Sequence, residues 1–256
     1  MTTEKTIGFA FEKGYSVAPE ILAVLQHCLL SNTPYVYSSP KNVPAYYCPV
    51  GGVSFVASVL TSFGISVPDP IGYPEMLFPF LGRRVEKITL ENAFYRLTEW
   101  PLFVKPANTI KGLTGKVFNS TAELKQEDAI QFGVNMGDSS PVKITHVWIS
   151  QPVSFRQEWR IYCHNGDISG LARYDDGTDE DKPPDTDFIK KLLKAYGDFA
   201  PAGFSLDVGE VDGQYLLVEI NDGWALGFYR GMDPSAYAKL LASRFEELLK
   251  SRTTQV

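Results

Sequence analysis

Glu219 and Asn221 stand two residues apart at the end of an apolar run that begins at Tyr215. Side chains of an extended strand alternate between faces, so Leu217, Glu219 and Asn221 are expected on one face and Leu216, Val218 and Ile220 on the other. Packing gives no reason to hold a carboxylate and an amide oxygen side by side on a greasy strand. A hard divalent cation does, because magnesium takes oxygen ligands, usually one or two carboxylates, and leaves positions for phosphate and water. A calcium cage wants more oxygens than this strand offers. A second apolar run, residues 203–210, carries Asp207 and meets the first at Asp212-Gly213, a hairpin signal. Loop length decides whether Asp207 joins the pair. A two-residue loop sets Asp207 opposite Val218, on the wrong face. A three-residue loop, Val211-Asp212-Gly213, sets it opposite Leu217 and on the face of Glu219. Gly213 suits the left-handed third position of the longer loop. The expectation is therefore a bulged three-residue hairpin and a metal set of Asp207, Glu219 and Asn221.

The cations lie upstream. Lys105 sits inside the apolar run from Pro101 to Pro106, and burying an ammonium is costly unless an anion meets it. The next segment holds Lys111, Gly112, Gly115 and Lys116, and glycines let backbone N–H groups approach phosphate oxygens. Its spacing is not that of a P-loop, and an ordinary hairpin fits it as well. The cluster Arg83-Arg84-Val85-Glu86-Lys87 reads by itself as solvated surface. Asn165-Gly166 joins two further alternating runs. With a two-residue loop, Arg160 faces Leu171 and Glu158 faces Arg173. Trp159, Ile161, Cys163, Ile168, Ala172 and Tyr174 then share one face, and Glu158, Arg160, Tyr162, Ser169 and Arg173 the other. The second face is either a wet sheet surface or a cleft wall that offers guanidinium groups to phosphate or carboxylate.

The remaining elements must bring these groups together. Residues 7–11 and 35–37 read as strands, with a helix opening at Pro19 between them and a second helix ending at Gly64, an α/β unit with a parallel sheet. The proline-rich stretch 68–79 marks a boundary. A helix is expected over 90–97, a capping box starts another at Ser120, and residues 142–150 form a strand that leaves its sheet at Gln151-Pro152-Val153. The acidic stretch 175–187 reads as a mobile loop or lid, followed by a helix to Phe199 and a last helix capped by Asp233-Pro234. A length of 256 residues with 44% hydrophobic content supports one large domain or two modest ones. A net charge of −6 argues against a dedicated nucleic-acid binder. Cys28, Cys48 and Cys163 lack metal spacing and read as reduced thiols. With no signal peptide and no membrane-spanning run in view, a cytoplasmic protein is expected. His27, His146 and His164 are scattered and read as structural or surface residues.

Taken in order, Phe-Val-Lys-Pro at 103–106, Glu-Trp-Arg at 158–160 and Val-Glu-Ile-Asn-Asp-Gly-Trp at 218–224 resemble the ATP-grasp superfamily, most of all its short bacterial and phage members. The resemblance covers residues 83 to the C-terminus. It implies two α+β subdomains, about 83–150 and 151–256, clasping ATP, preceded by a small α/β pre-ATP-grasp domain over 1–82. It implies that Lys105 contacts the α- and β-phosphates, that the loop 108–115 closes over them with Lys111 or Lys116 assisting, and that Gln151 and Val153 line the adenine hinge. Arg160 would stabilise charge at the γ-phosphate and the acyl phosphate, and Asp207, Glu219 and Asn221 would hold Mg2+. Arg83, Arg84 or Lys87 would supply a second phosphate contact, with Arg84 set down for it. Gln151 departs from the family, where many relatives carry a carboxylate. Arg173 and Arg230, with Trp224 and Tyr229, are the expected substrate contacts. The implied activity is ATP-dependent ligation of a carboxylate, on a small molecule or peptide, to an amine or thiol through an acylphosphate. A nucleotide-binding regulator or phosphotransferase on the same fold is the alternative.

Overall fold

The computed structural model describes residues 7–96, 100–107, 115–130, 144–175 and 182–253. Most of the glycine loop, including Lys111, and most of the acidic lid stretch lie outside them.

The chain opens as an α/β unit: β1 (Gly8–Glu12), α1 (Pro19–Ser31), β2 (Tyr35–Ser38), β3 (Tyr47–Val50) and α2 (Val53–Ser62). Its three strands form a parallel sheet in the order β2-β1-β3. β3, with Pro49 inside it, is a strand that sequence reading passes over. Pro19 starts α1, where its missing N–H costs nothing, and Asn32 in the left-handed region ends it.

A four-stranded antiparallel sheet follows, in the order β4-β7-β5-β6, from β4 (Val85–Thr89), β5 (Leu102–Pro106), β6 (Lys116–Phe118) and β7 (His146–Ser150). The basic cluster is thus partly a strand. The helix expected over 90–97 is a single turn, α3 (Leu90–Ala93), capped by Thr89. Ser120 caps α4 (Thr121–Ile130) by accepting from the Glu123 N–H at 3.2 Å. Leu102, Val104, Val147, Ile149 and Phe118 fill a core on one face of this sheet.

The last sheet, β11-β10-β8-β9, consists of β8 (Gln157–His164), β9 (Asp167–Arg173), β10 (Gly203–Val211) and β11 (Gln214–Asp222). Helix α5 (Thr186–Tyr196) buries Ile189, Leu192 and Tyr196 against one face, together with Tyr73, Leu77 and Leu81 from the proline-rich stretch. Helix α6 (Pro234–Thr253) packs Tyr237, Leu240 and Phe245 into a core shared with Tyr162 of β8 and with the N-terminal unit. The Asp233 carboxylate accepts from the Ala236 N–H at 2.8 Å and caps α6.

Both hairpins close with two-residue loops, and both registers differ from expectation. Val211 pairs with Gln214 across Asp212 and Gly213, whose φ angles of 51° and 78° are those of a tight left-handed turn. The ladder then shifts: Val208 pairs with Leu217, but Asp207 pairs with Glu219, leaving Val218 as the extra residue of a bulge. Parity is corrected inside the strand, not in the loop. Leu217 consequently joins Ile220 in the core, instead of sharing a face with Glu219. In the other hairpin a shift beside Tyr162 and Cys163 skips Ser169, so Arg160 opposes Ala172 rather than Leu171, and Arg173 opposes Trp159 rather than Glu158. Tyr174 and Ala172 move to the Arg160 side and Arg173 to the Trp159 side.

Candidate active site

Three residues lie in one row across three strands. Glu219 pairs with Asp207, and Asp207 pairs with Arg160. Directly opposed residues of an antiparallel ladder share a face, so the row brings two carboxylates and a guanidinium together. Arg160 grips Asp207 in bidentate fashion, Nε donating to Oδ1 at 2.8 Å and Nη2 to Oδ2 at 2.6 Å. Asn221 stands in the neighbouring row. Its Nδ2 donates to Asp207 Oδ2 at 3.0 Å and to Glu219 Oε1 at 2.9 Å. The carboxylates of Asp207 and Glu219 and the Asn221 amide therefore converge on one point. That hard-oxygen donor set suits magnesium, so the residues fit the ion. Among the described residues, no cluster of three or more His, Cys, Asp or Glu side chains could hold a metal.

Lys105 reaches the same point from the other sheet. Its ammonium donates to Glu219, closing an ion pair between β5 and β11. Burial alone would push the Glu219 carboxyl up. The ammonium, its hydrogen bond and the Asn221 amide outweigh that and hold it down at about 2. Burial pushes the Asp207 carboxyl above its ordinary range, against the pull of Arg160. The Arg160 guanidinium also faces the Tyr229 ring at 5.0 Å and the Tyr174 ring at 5.6 Å, and Tyr174 donates its hydroxyl to Glu158. These groups line a cleft of about 370 Å³, walled by Phe103, Trp148 and Gly115 on one side, Trp224 and Tyr229 on another, and residues 68–72 on a third.

Lys87 is the cation that settles the basic cluster. Lys87 and Lys105 are both directly opposite Trp148, so all three side chains share the cleft face of the β4-β7-β5 sheet. The ammonium of Lys87 lies 5.7 Å from the Trp148 ring centre. Arg84 is not brought there. It pairs with Glu86 and lines a separate crevice with Leu102, Ile149 and Gln151 on the sheet's other side. The Gln151 side chain faces that crevice too, accepting from the Arg84 N–H at 3.1 Å. Val153 is half-buried in the connection from β7 to β8, outside the cleft lining. Lys116 is exposed and opposes Val104, on the face turned away from Lys105. Arg173 pairs with Asp175 and stacks on Trp159. Arg230 is exposed and does not line the cleft. Period-two alternation separates the groups brought in from those left out. Lys87 and Trp148 were findable from sequence only by recognising that 85–89 is a strand.

A family model described as an ATP-grasp domain, family 2 of its clade, matches residues 80–240, more than half of the chain. The chain belongs to that ATP-grasp family. Solved structures agree on the fold. An ATP-grasp RimK domain protein from Sphaerobacter thermophilus superposes with a TM-score of 0.58 at 13% identity, covering 93% of this chain and 99% of its own. A D-alanine–D-alanine ligase from Bacillus anthracis gives 0.54 at 14%, covering 98% and 100%. A D-cycloserine synthetase gives 0.56 at 12%, covering 94% and 99%. Comparison by sequence with proteins of curated function finds no match. In this ATP-grasp chain the cleft lies between the β4-β7-β5-β6 and β11-β10-β8-β9 sheets, joined by the segment that carries Gln151 and Val153. No helix among the described residues is long and apolar enough to cross a membrane.

Proposed function

We propose that the protein is an ATP- and magnesium-dependent ligase that joins a carboxylate to an amine. The observation that carries this reading is the Lys105–Glu219 pair: a cation from one sheet and a carboxylate from the other meet where Asp207, Asn221 and Arg160 also converge. Phosphoryl transfer needs little else from a protein, because it depends on positioning and on neutralising the charge that builds on the transferred group. Lys105 and Lys87 would bind phosphate oxygens along the cleft face of the first sheet. Asp207, Glu219 and Asn221 would hold Mg2+, which screens phosphate charge. Arg160, once a substrate competes with Asp207 for its fork, would face the transferred phosphoryl group.

A substrate carboxylate oxygen would attack the γ-phosphorus, the bond to the β-phosphate oxygen would break, and ADP would leave. An amine nitrogen would then attack the acyl carbon, expelling phosphate and losing a proton, to give an amide. The solved relatives named above as ligases and synthetases support this class on the same fold. The acid is a small molecule or peptide; Trp224, Tyr229, Leu226 and Ile71 give its side of the cleft an apolar wall. The test is to incubate the protein with magnesium and ATP and pooled acids and amines, following ADP and new masses. The expected result is ADP release that needs both an acid and an amine, with a product lighter than their sum by one water. Nucleotide binding without such turnover across the pool would instead make the cleft that of a regulator.

A further inference from the structure

We propose that Arg83 is a positioning residue for the metal set, holding in place the β11 bulge that turns Glu219 into the cleft. This rests on the reading of Asp207, Glu219 and Asn221 as magnesium ligands. Asp207 and Glu219 share a face only because Val218 is an extra residue in the strand; in an unbulged ladder from the same two-residue loop, Asp207 would oppose Val218. A bulge disrupts the ladder locally and leaves main-chain groups in need of other partners.

Arg83 supplies them. Its Nη1 donates to the Leu217 carbonyl at 3.0 Å and to the Leu81 carbonyl at 3.1 Å, and its Nη2 donates to the Val218 carbonyl at 3.1 Å. Two successive carbonyls at the register shift are thus gripped by one planar fork, a geometry that a lysine cannot reproduce. Gly82 lets the chain come this close: its φ is +59°, and a Cβ there would sit 2.5 Å from Leu216. The rings of Tyr73 and Phe155 each lie 5.9 Å from the guanidinium carbon. Among the described residues Arg83 forms no ion pair, so its fork serves carbonyls, not a carboxylate. Arg83 touches none of the residues expected to hold phosphate or metal. It acts through the backbone of the strand that presents Glu219 and Asn221.

The experiment compares wild type, Arg83→Met and Arg83→Lys by ATP binding with magnesium and with the metal chelated, and by hydrogen exchange at the 218–219 amides. Outer partners of metal ligands are commonly worth about 10- to 100-fold in metal affinity, so Arg83→Met should weaken magnesium–ATP binding by that factor. Chelated ATP should bind both proteins alike, because Lys105 and Lys87 are untouched. Exchange at 218–219 should quicken about tenfold. Arg83→Lys should fall between, and it carries the comparison if the methionine variant does not fold. Equal losses with and without metal, or unchanged magnesium–ATP affinity, would overturn the proposal. If wild type binds no nucleotide, the ligase reading fails, and exchange alone decides: unchanged rates at 218–219 would show that Arg83 does not hold the bulge.

Discussion

Replacing Lys105 by methionine should leave a signature that runs with pH. The side chains of Lys105 and Glu219 are 25% and 28% exposed, so the pair is largely shielded from water. The Glu219 carboxyl is held from an ordinary 4.5 down to about 2, chiefly by Lys105 working against burial. At about 1.4 kcal/mol per unit, that depression is worth about 3 kcal/mol at most at neutral pH. A carboxyl with a lowered folded pKa contributes stability that is complete above its unfolded value and lost as pH falls toward the folded one. In wild type the loss therefore falls between about 4.5 and about 2. In Lys105→Met, burial acts unopposed by the ammonium and the carboxyl rises, so protonation relieves the folded state as pH drops. Urea unfolding should show a gap between the two proteins of about 2–3 kcal/mol at pH 7, shrinking steadily below about pH 5. Carbon NMR of Glu219 should show its midpoint moving upward in the variant. A gap that does not change with pH, or an unmoved Glu219 midpoint, would refute the assignment of the pair as the cause.

Asp207→Asn should destabilise by about 3 kcal/mol in chemical denaturation, because it leaves the Arg160 guanidinium, 9% exposed, without the second charge of its pair; a loss below about 1 kcal/mol would contradict that role. Lys87→Ala should weaken ATP binding about tenfold by calorimetry, as expected for one charge-assisted contact, while Arg84→Ala leaves it unchanged; the reverse order would return the phosphate contact to Arg84. Gly82→Ala should cost about 1–2 kcal/mol, since the residue has positive φ and its new methyl would meet Leu216, and an unaffected melting temperature would argue that β11 yields there.

The chemistry of the cleft was legible in residue types: a lysine in an apolar strand, a Glu-x-Arg hairpin and a Glu-x-Asn strand end name a phosphate- and metal-handling site, and their order names the fold. The helix caps at Ser120 and Asp233 were legible too, because capping is local. Registers were not. Two bulges, at Val218 and Ser169, decide which side chains share a face, and no local residue preference announces them. They arise where a ladder must satisfy the core on one side and the cleft on the other. Leu217 had to enter the core while Glu219 stayed out of it, and only an extra residue between them allows both. The sorting of the basic cluster was likewise tertiary. Arg83, Arg84 and Lys87 are equivalent as a charge run. Strand pairing sends Lys87 to the cleft and Arg84 to the opposite side, and the packing of residues 73–81 lays Arg83 against a strand 134 positions later. Residue chemistry fixes what a site can bind, whereas alternation and long-range pairing fix which of the suitable residues arrive.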